Sequence, residues 1–189
     1  MRTDHLNNDE KRAIQRICEE YSDIFHLDEE PLTSTTTVAH EINTRADTAP
    51  VNVRPYRLPE KHKTEVNRQV KEMLEDGIIR TSTSQWNAPL LVVPKKADAS
   101  GKPKLRIVVD FRRLNELTID DSFPLPNITD ILDQLGNAKY FTTLDLASGY
   151  HQIPMAERDR NKTAFSTPYG HYKYNRMPFG LKNAPATFQ

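Results

Sequence analysis

An aspartate stands between two leucines in the run Thr143-Leu144-Asp145-Leu146-Ala147-Ser148-Gly149-Tyr150, and small residues and an aromatic follow at once. The surrounding residues, Tyr140 to Leu146, read as a strand, so the pattern puts one carboxylate inside an apolar element. Burying that charge is costly unless a metal ion or strong donors hold it. A fold for this chain must therefore either supply Asp145 with such a partner or use it as a structural cap on the turn through Ser148.

Bulk properties narrow the field. A length of 189 residues allows one or two modest cores. The 13 prolines are scattered between periodic segments, which describes a loop-rich globular chain rather than a disordered one. No apolar run approaches the length that crosses a bilayer, and the start MRTDHLNNDEKR has no secretory h-region. The single cysteine, Cys18, excludes an internal disulfide, and the six histidines show no zinc-ligand spacing.

Charge is balanced overall but not locally. Met1 to Glu30 holds nine acidic and four basic residues, whereas Leu90 to Asn115 holds seven basic residues against Asp98 and Asp110. Phosphate binding responds to the local field, although a charge run can equally be a solvated face.

Periodicity organises the rest. Asn8 or Asp9 is expected to cap a helix with Ile14, Ile17, Cys18, Tyr21 and Phe25 on one face. Residues 26–59 read as an extended connector with a short strand around 37–42. A helix over 61–76 packs Val66, Val70, Met73 and Leu74, and Gly77 stops it. Leu90–Val93 and Leu105–Phe111 form a hairpin through Ser100-Gly101, with Lys95, Lys96, Lys102, Lys104 and Arg106 near its tip. Asn127 caps a helix that turns Ile128, Ile131, Leu132 and Leu135 inward, ended by Gly136. A second hairpin spans 163–177 and turns at Pro168-Tyr169-Gly170. Asn183 caps a last helix with Pro185 in its first turn, and only four residues remain after it. That predicts a chain cut short relative to its fold.

One chemistry would use all these parts. Two-metal nucleotidyl transfer needs carboxylates around a pair of divalent ions, cations on the leaving pyrophosphate and a wall beside the incoming sugar. Asp145 is a candidate ligand with the Leu146 carbonyl assisting, Lys96 and Arg106 candidate holders of phosphates, and Tyr150 a candidate wall at the sugar 2′-position. A single aspartate does not hold two magnesium ions.

The ordered series YRLP (56–59), MLEDGIIRTSTSQWNAPLLVVPKK (73–96), LRIVVDFRRLN (105–115), FPLPNITDILDQL (123–135), YFTTLDLASGYHQI (140–153) and KTAFSTPYGHYKYNRMPFGLKNAPATFQ (162–189) resembles the reverse transcriptases of gypsy-type LTR retrotransposons. The likeness runs from about residue 32 to 189 and includes the lead-in VAHEINTRADTAPVNVRPYRLP (38–59). It implies an α+β right-hand polymerase, with a helical and extended lead-in over 1–50 and fingers over 51–119. The first palm segment follows over 120–152, then the second part of the fingers over 153–183 and the start of a palm helix over 184–189. By that resemblance Asp145 is the first metal-binding aspartate, Lys96 meets the γ-phosphate, and Arg106 stacks on the incoming base and contacts its phosphate. Tyr150 discriminates deoxyribose from ribose, with Phe179 and Gly180 beside the nucleotide, while Trp86 and Arg112 lie near the template.

The same resemblance implies Mg2+ as cofactor. Its implied partners are dNTPs, an RNA or DNA template with primer and the rest of a Pol polyprotein, and copying takes place in cytoplasmic particles with a later nuclear step. The family's Tyr-X-Asp-Asp turn is expected beyond Gln189. Three function classes follow: part of an RNA-directed DNA polymerase, a non-catalytic nucleic-acid-binding remnant, or a domesticated interaction module built on the acidic first helix.

Overall fold

A computed structural model describes residues 3–27, 30–95, 104–123, 126–136 and 138–189. The chain forms two compact units, Met1–Leu32 and Thr33–Gln189.

In the first unit the helix α1 covers Asn8–Glu20. Its cap is Asn7, one residue ahead of the expected position. The Asn7 side chain accepts from the Asp9 and Glu10 amides at 3.0 and 2.9 Å, and Glu10 accepts from the Asn7 amide at 2.9 Å. This reciprocal capping box satisfies orphan donors that an Asn8 start would leave open. No residue of α1 is buried, and Ile17 and Tyr21 are exposed.

The second unit begins with the segment expected to be a connector, and it is knitted into the core instead. His40 bridges Met155, with His40 N donating to Pro154 O at 2.8 Å and Ala156 N to His40 O at 2.9 Å. Ile42 N then donates to the buried Asp159 carboxylate at 3.0 Å. Lys162 Nζ closes the arrangement, donating to Ile42 O at 2.6 Å and to Asp159 at 2.8 Å. These paired groups carry the division between the units back to residue 32 rather than residue 50.

Helix α2, Glu60–Glu75, buries Val66 and Val70 and half-buries Met73 and Leu74, as the periodicity predicts. It ends in a Schellman pattern: Gly77 N donates to Leu74 O, Ile78 N donates to Met73 O, and Gly77 takes φ +64. Strand β1, Ile79–Thr81, follows directly, and β2 (Leu90–Lys95) pairs antiparallel with β3 (Lys104–Val109), Leu90 opposite Val109. Phe111, expected in the hairpin strand, is buried just beyond it, ahead of the short α3, Arg112–Leu117.

Next comes α4, Ile128–Leu135, and after it β4 (Phe165–Thr167), β5 (Gly170–Tyr174) and α5 (Ala184–Phe188). The 163–177 hairpin forms as expected, and β5 also pairs with β1, giving the order β1-β5-β4. Ala88 bridges Phe165, with Ala88 N donating to Ala164 O at 2.8 Å, so the two sheets share one core around Phe165, Leu90 and Tyr174.

Three expectations fail here. Tyr140–Leu146 is not a strand, and Asp145 is exposed rather than held in an apolar element. A strand gains stability only from a ladder partner, and none of the described strands pairs with this run. Helix α4 does form, with Asn127 accepting from Thr129 N at 3.1 Å and Gly136 ending it at φ +42. Its apolar side chains, however, face outward, Ile128 being 74% exposed. Asn183 does not cap α5 through its side chain either; it accepts from Asp121 N and donates to Ile119 O, tying the 119–121 loop to the helix start.

Candidate active site

A sharp turn brings the central residues together. Ser148 takes a left-handed conformation at φ 47, and a 3-10 turn over Gly149–Gln152 follows, with His151 N donating to Ser148 O at 2.8 Å. The turn directs Tyr150 against Phe179, the rings stacked with centroids 4.9 Å apart, and against Phe188 at 5.1 Å. Such offset aromatic contacts hold ring planes as well as burying area. Gly149 permits this packing, because a Cβ there would lie 2.8 Å from Phe188 Cζ.

Phe179 is set from below. Gly180 has φ +90, where a side chain would be strained, and its carbonyl accepts from Asn115 Nδ2 at 2.8 Å. Asn115 Oδ1 also accepts from Lys182 N at 3.0 Å, so one amide on α3 fastens the loop on both sides of Leu181. His151 packs edge-on to Phe179 at 5.6 Å, and its Nδ1 lies 3.2 Å from Met177 O. Burial lowers its pKa despite that carbonyl, and nearby Arg176 adds to the lowering.

Between these elements lies a groove of about 440 Å³ lined by Leu144, Asp145, Leu146, Ser148, Gly149, Tyr150, Phe179 and Phe188. Asp145, Leu146, Tyr150 and Phe179 thus share one surface, with Gly180 adjoining it. Arg106 is not in its lining; it lies on β3 opposite Val93, exposed. Lys96 lies outside the described residues.

Arg112 has a fixed partner. Its guanidinium donates to Asp110 at 2.9 Å through Nε and 2.7 Å through Nη2, while the Asp110 side chain is nearly buried. Those bonds hold the Asp110 carboxyl below the usual carboxylate range against the opposing effect of burial, assisted by the Arg112 amide and the Tyr56 hydroxyl. Arg112, rather than the β3 cation Arg106, makes the ion pair with Asp110. Tyr56, exposed and 3.3 Å from Asp110, joins Val53, Pro89, Arg112, Arg113 and Glu116 around a second pocket of about 300 Å³. Sequence reasoning missed Tyr56 and Asn115; the arginines at 54 and 57 around Tyr56 were the available signal, and Asn115 had none. Trp86 is 9% exposed and belongs to the core, so its ring supports the fold rather than offering a stacking face.

The donor set does not fit two divalent ions. Among the described residues no three His, Cys, Asp or Glu side chains gather as a metal site, and Asp145 is the groove's one carboxylate.

Residues 93–189 match the family described as reverse transcriptase (RNA-dependent DNA polymerase), just over half of the chain. The chain is 50% identical over 188 residues to the retrovirus-related Pol polyprotein from transposon 297 of Drosophila melanogaster, covering 100% of this chain and 18% of that protein. It is 51% identical over 166 residues to the Pol polyprotein from transposon gypsy of the same species, covering 87% of this chain and 16% of that one. The foamy viral protease-reverse transcriptase in complex with an RNA/DNA hybrid superposes with a TM-score of 0.82 at 26% identity, over 97% of this chain and 24% of that chain. The chain belongs to the reverse transcriptase family. It spans less than a fifth of the length of these polyprotein relatives.

Proposed function

We propose that this chain is the fingers and first palm segment of an RNA-directed DNA polymerase carried in a retrotransposon Pol polyprotein. The observation that carries the reading is the groove in which Asp145, Leu146, Tyr150 and Phe179 meet. The stacked Tyr150 and Phe179 rings present a flat apolar wall to an incoming deoxynucleoside, with the Gly180 turn adjoining it. Arg106, and Lys96 ahead of it, are the cations assigned to the triphosphate. Arg112, with Tyr56, borders the pocket assigned to the template strand. Asp145 is assigned to magnesium, and further carboxylates from a longer polyprotein would complete the ion pair. Cytoplasmic particles are the proposed setting of the copying.

The test is DNA synthesis on a primed RNA by a Pol polyprotein containing this chain. Asp145→Asn should abolish synthesis while primer–template binding persists; undiminished copying overturns the reading. One observation favours a second role for this segment by itself: a single carboxylate lines the groove, which fits nucleic-acid binding without chemistry. Salt-sensitive retention of a primer–template duplex, weakened by Lys96→Ala with Arg106→Ala, would support it.

A further inference from the structure

Arg106 sits mid-strand, and the main-chain groups on either side of it are held by one side chain from α2. Gln69 Nε2 donates to Leu105 O at 2.9 Å, and Gln69 Oε1 accepts from Ile107 N at 3.1 Å. In an antiparallel ladder, residue pairs alternate between exchanging bonds and turning their groups outward. Leu105 and Ile107 are therefore at outward positions, and the Gln69 amide does there what a third strand would do, over the width of one residue. The same assignment accounts for Pro94. It lies opposite Leu105, at a position where its missing N–H leaves no ladder bond unmade.

The direction of the amide is also fixed. Nε2 donates to Glu65 at 2.6 Å as well, and Glu65 is in turn held by Arg68 Nε at 3.0 Å. Reversing the amide would set its one oxygen against both Leu105 O and the Glu65 carboxylate, and its NH2 group against the Ile107 N–H. Val66, three residues before Gln69, and Val70, next to it, are buried and fix α2 to the core, so the clamp is anchored on its helix side as well.

We propose that Gln69 is a positioning residue for Arg106, holding the β3 backbone so that the guanidinium meets the triphosphate of an incoming nucleotide. The proposal rests on the assignment of Arg106 to that triphosphate. The geometry separates two functions on one strand: Arg106 provides charge to solvent, and its neighbours' main-chain groups provide the hold.

The experiment titrates inorganic tripolyphosphate into the isotope-labelled chain, reading the Arg106 Nε resonance and exchange of the Ile107 amide. Gln69→Leu should weaken tripolyphosphate binding about fivefold and speed Ile107 exchange about tenfold. Gln69→Glu, which keeps the length but repels Leu105 O and Glu65, should do the same. In an Arg106→Ala background Gln69→Leu should cost no further affinity; an additive loss there means a merely structural role and overturns the proposal. If Arg106→Ala weakens binding and the Gln69 variants do not, the clamp does not position Arg106. If Arg106→Ala itself leaves binding unchanged, the triphosphate assignment fails and takes the proposal with it.

Discussion

Two stretches of the second unit carry large apolar side chains and bury them differently, and the one denser in them buries fewer. Between residues 153 and 181, Ile153, Met155, Phe165, Met177 and Leu181 are buried; between 128 and 146, Ile128, Leu132, Phe141, Leu144 and Leu146 face solvent. The first stretch brings its own partner, since β4 and β5 pair across a short turn and β5 then recruits β1. Helix α4 needs no partner for its backbone and forms from local bonds. The run 140–146 belongs to none of the described helices or ladders, and its Phe141, Leu144 and Leu146 side chains stay exposed. Apolar content alone does not place a segment in a core; the backbone must first have somewhere to send its hydrogen bonds. The exposed stretch is also contiguous with the groove at Asp145, so the surface offering the candidate chemistry includes side chains that the core does not hold.

Five substitutions test this contrast. Phe165→Ala, at a side chain fully buried where the two sheets meet, should cost about 3–5 kcal/mol of unfolding free energy. Leu144→Ala, at 76% exposure, should stay within about 0.5 kcal/mol, and equal losses in urea titrations would erase the distinction. Asp159→Asn should cost about 3 kcal/mol, because it strips the carboxylate from Lys162 while both remain largely buried; the urea midpoint reads it.

Acid should then act on the packed side first. Burial lowers the pKa of both His40 and His151, against the pull of Asp159 and Glu41 on His40 and the Met177 carbonyl at His151. The unfolded chain therefore binds more protons below the ordinary histidine value of 6.5. Stability is full above that pH and declines as pH falls through it toward the lowered folded values. His40→Gln should flatten the profile of urea midpoint against pH. The smallest effect is expected from Asn127→Ala, which should remove about 1 kcal/mol of local α4 helicity, seen as faster amide exchange at Thr129 and Ile131. The global midpoint should not move, because α4 buries no side chain.

Features set by neighbouring residues were legible in the sequence. Val66 and Val70 at helical spacing with Gly77 behind them, Asn127 before α4, and the turn at Pro168-Tyr169-Gly170 each state their structure within a few positions. Features set by distant partners were not. Nothing near Ile42 announces Asp159, and nothing near Asn183 announces that its amide is taken by the 119–121 loop rather than the helix. Resemblance alone places Trp86 near the template, and nothing beside it in the sequence announces that its ring is buried in the core. Of the candidate site, Asp145, Leu146, Tyr150 and Phe179 were legible through an ordered series of motifs, and the structure brings them to one groove. Asn115 and Gln69 were illegible because each acts on the main chain of a distant segment, which leaves no pattern in its own surroundings.

The bonds that fasten the beginning of the second unit span most of its length. Ile42 waits for Asp159, 117 positions later, and His40 Nδ1 for the Thr187 hydroxyl, 147 positions later. A ribosome making this chain releases the lead-in long before its partners exist. The early segment must therefore remain unpaired, and open to chaperones or to mispairing, until the last helix emerges. In this molecule the first segment of the unit to be made is one whose bonds close only when late residues arrive.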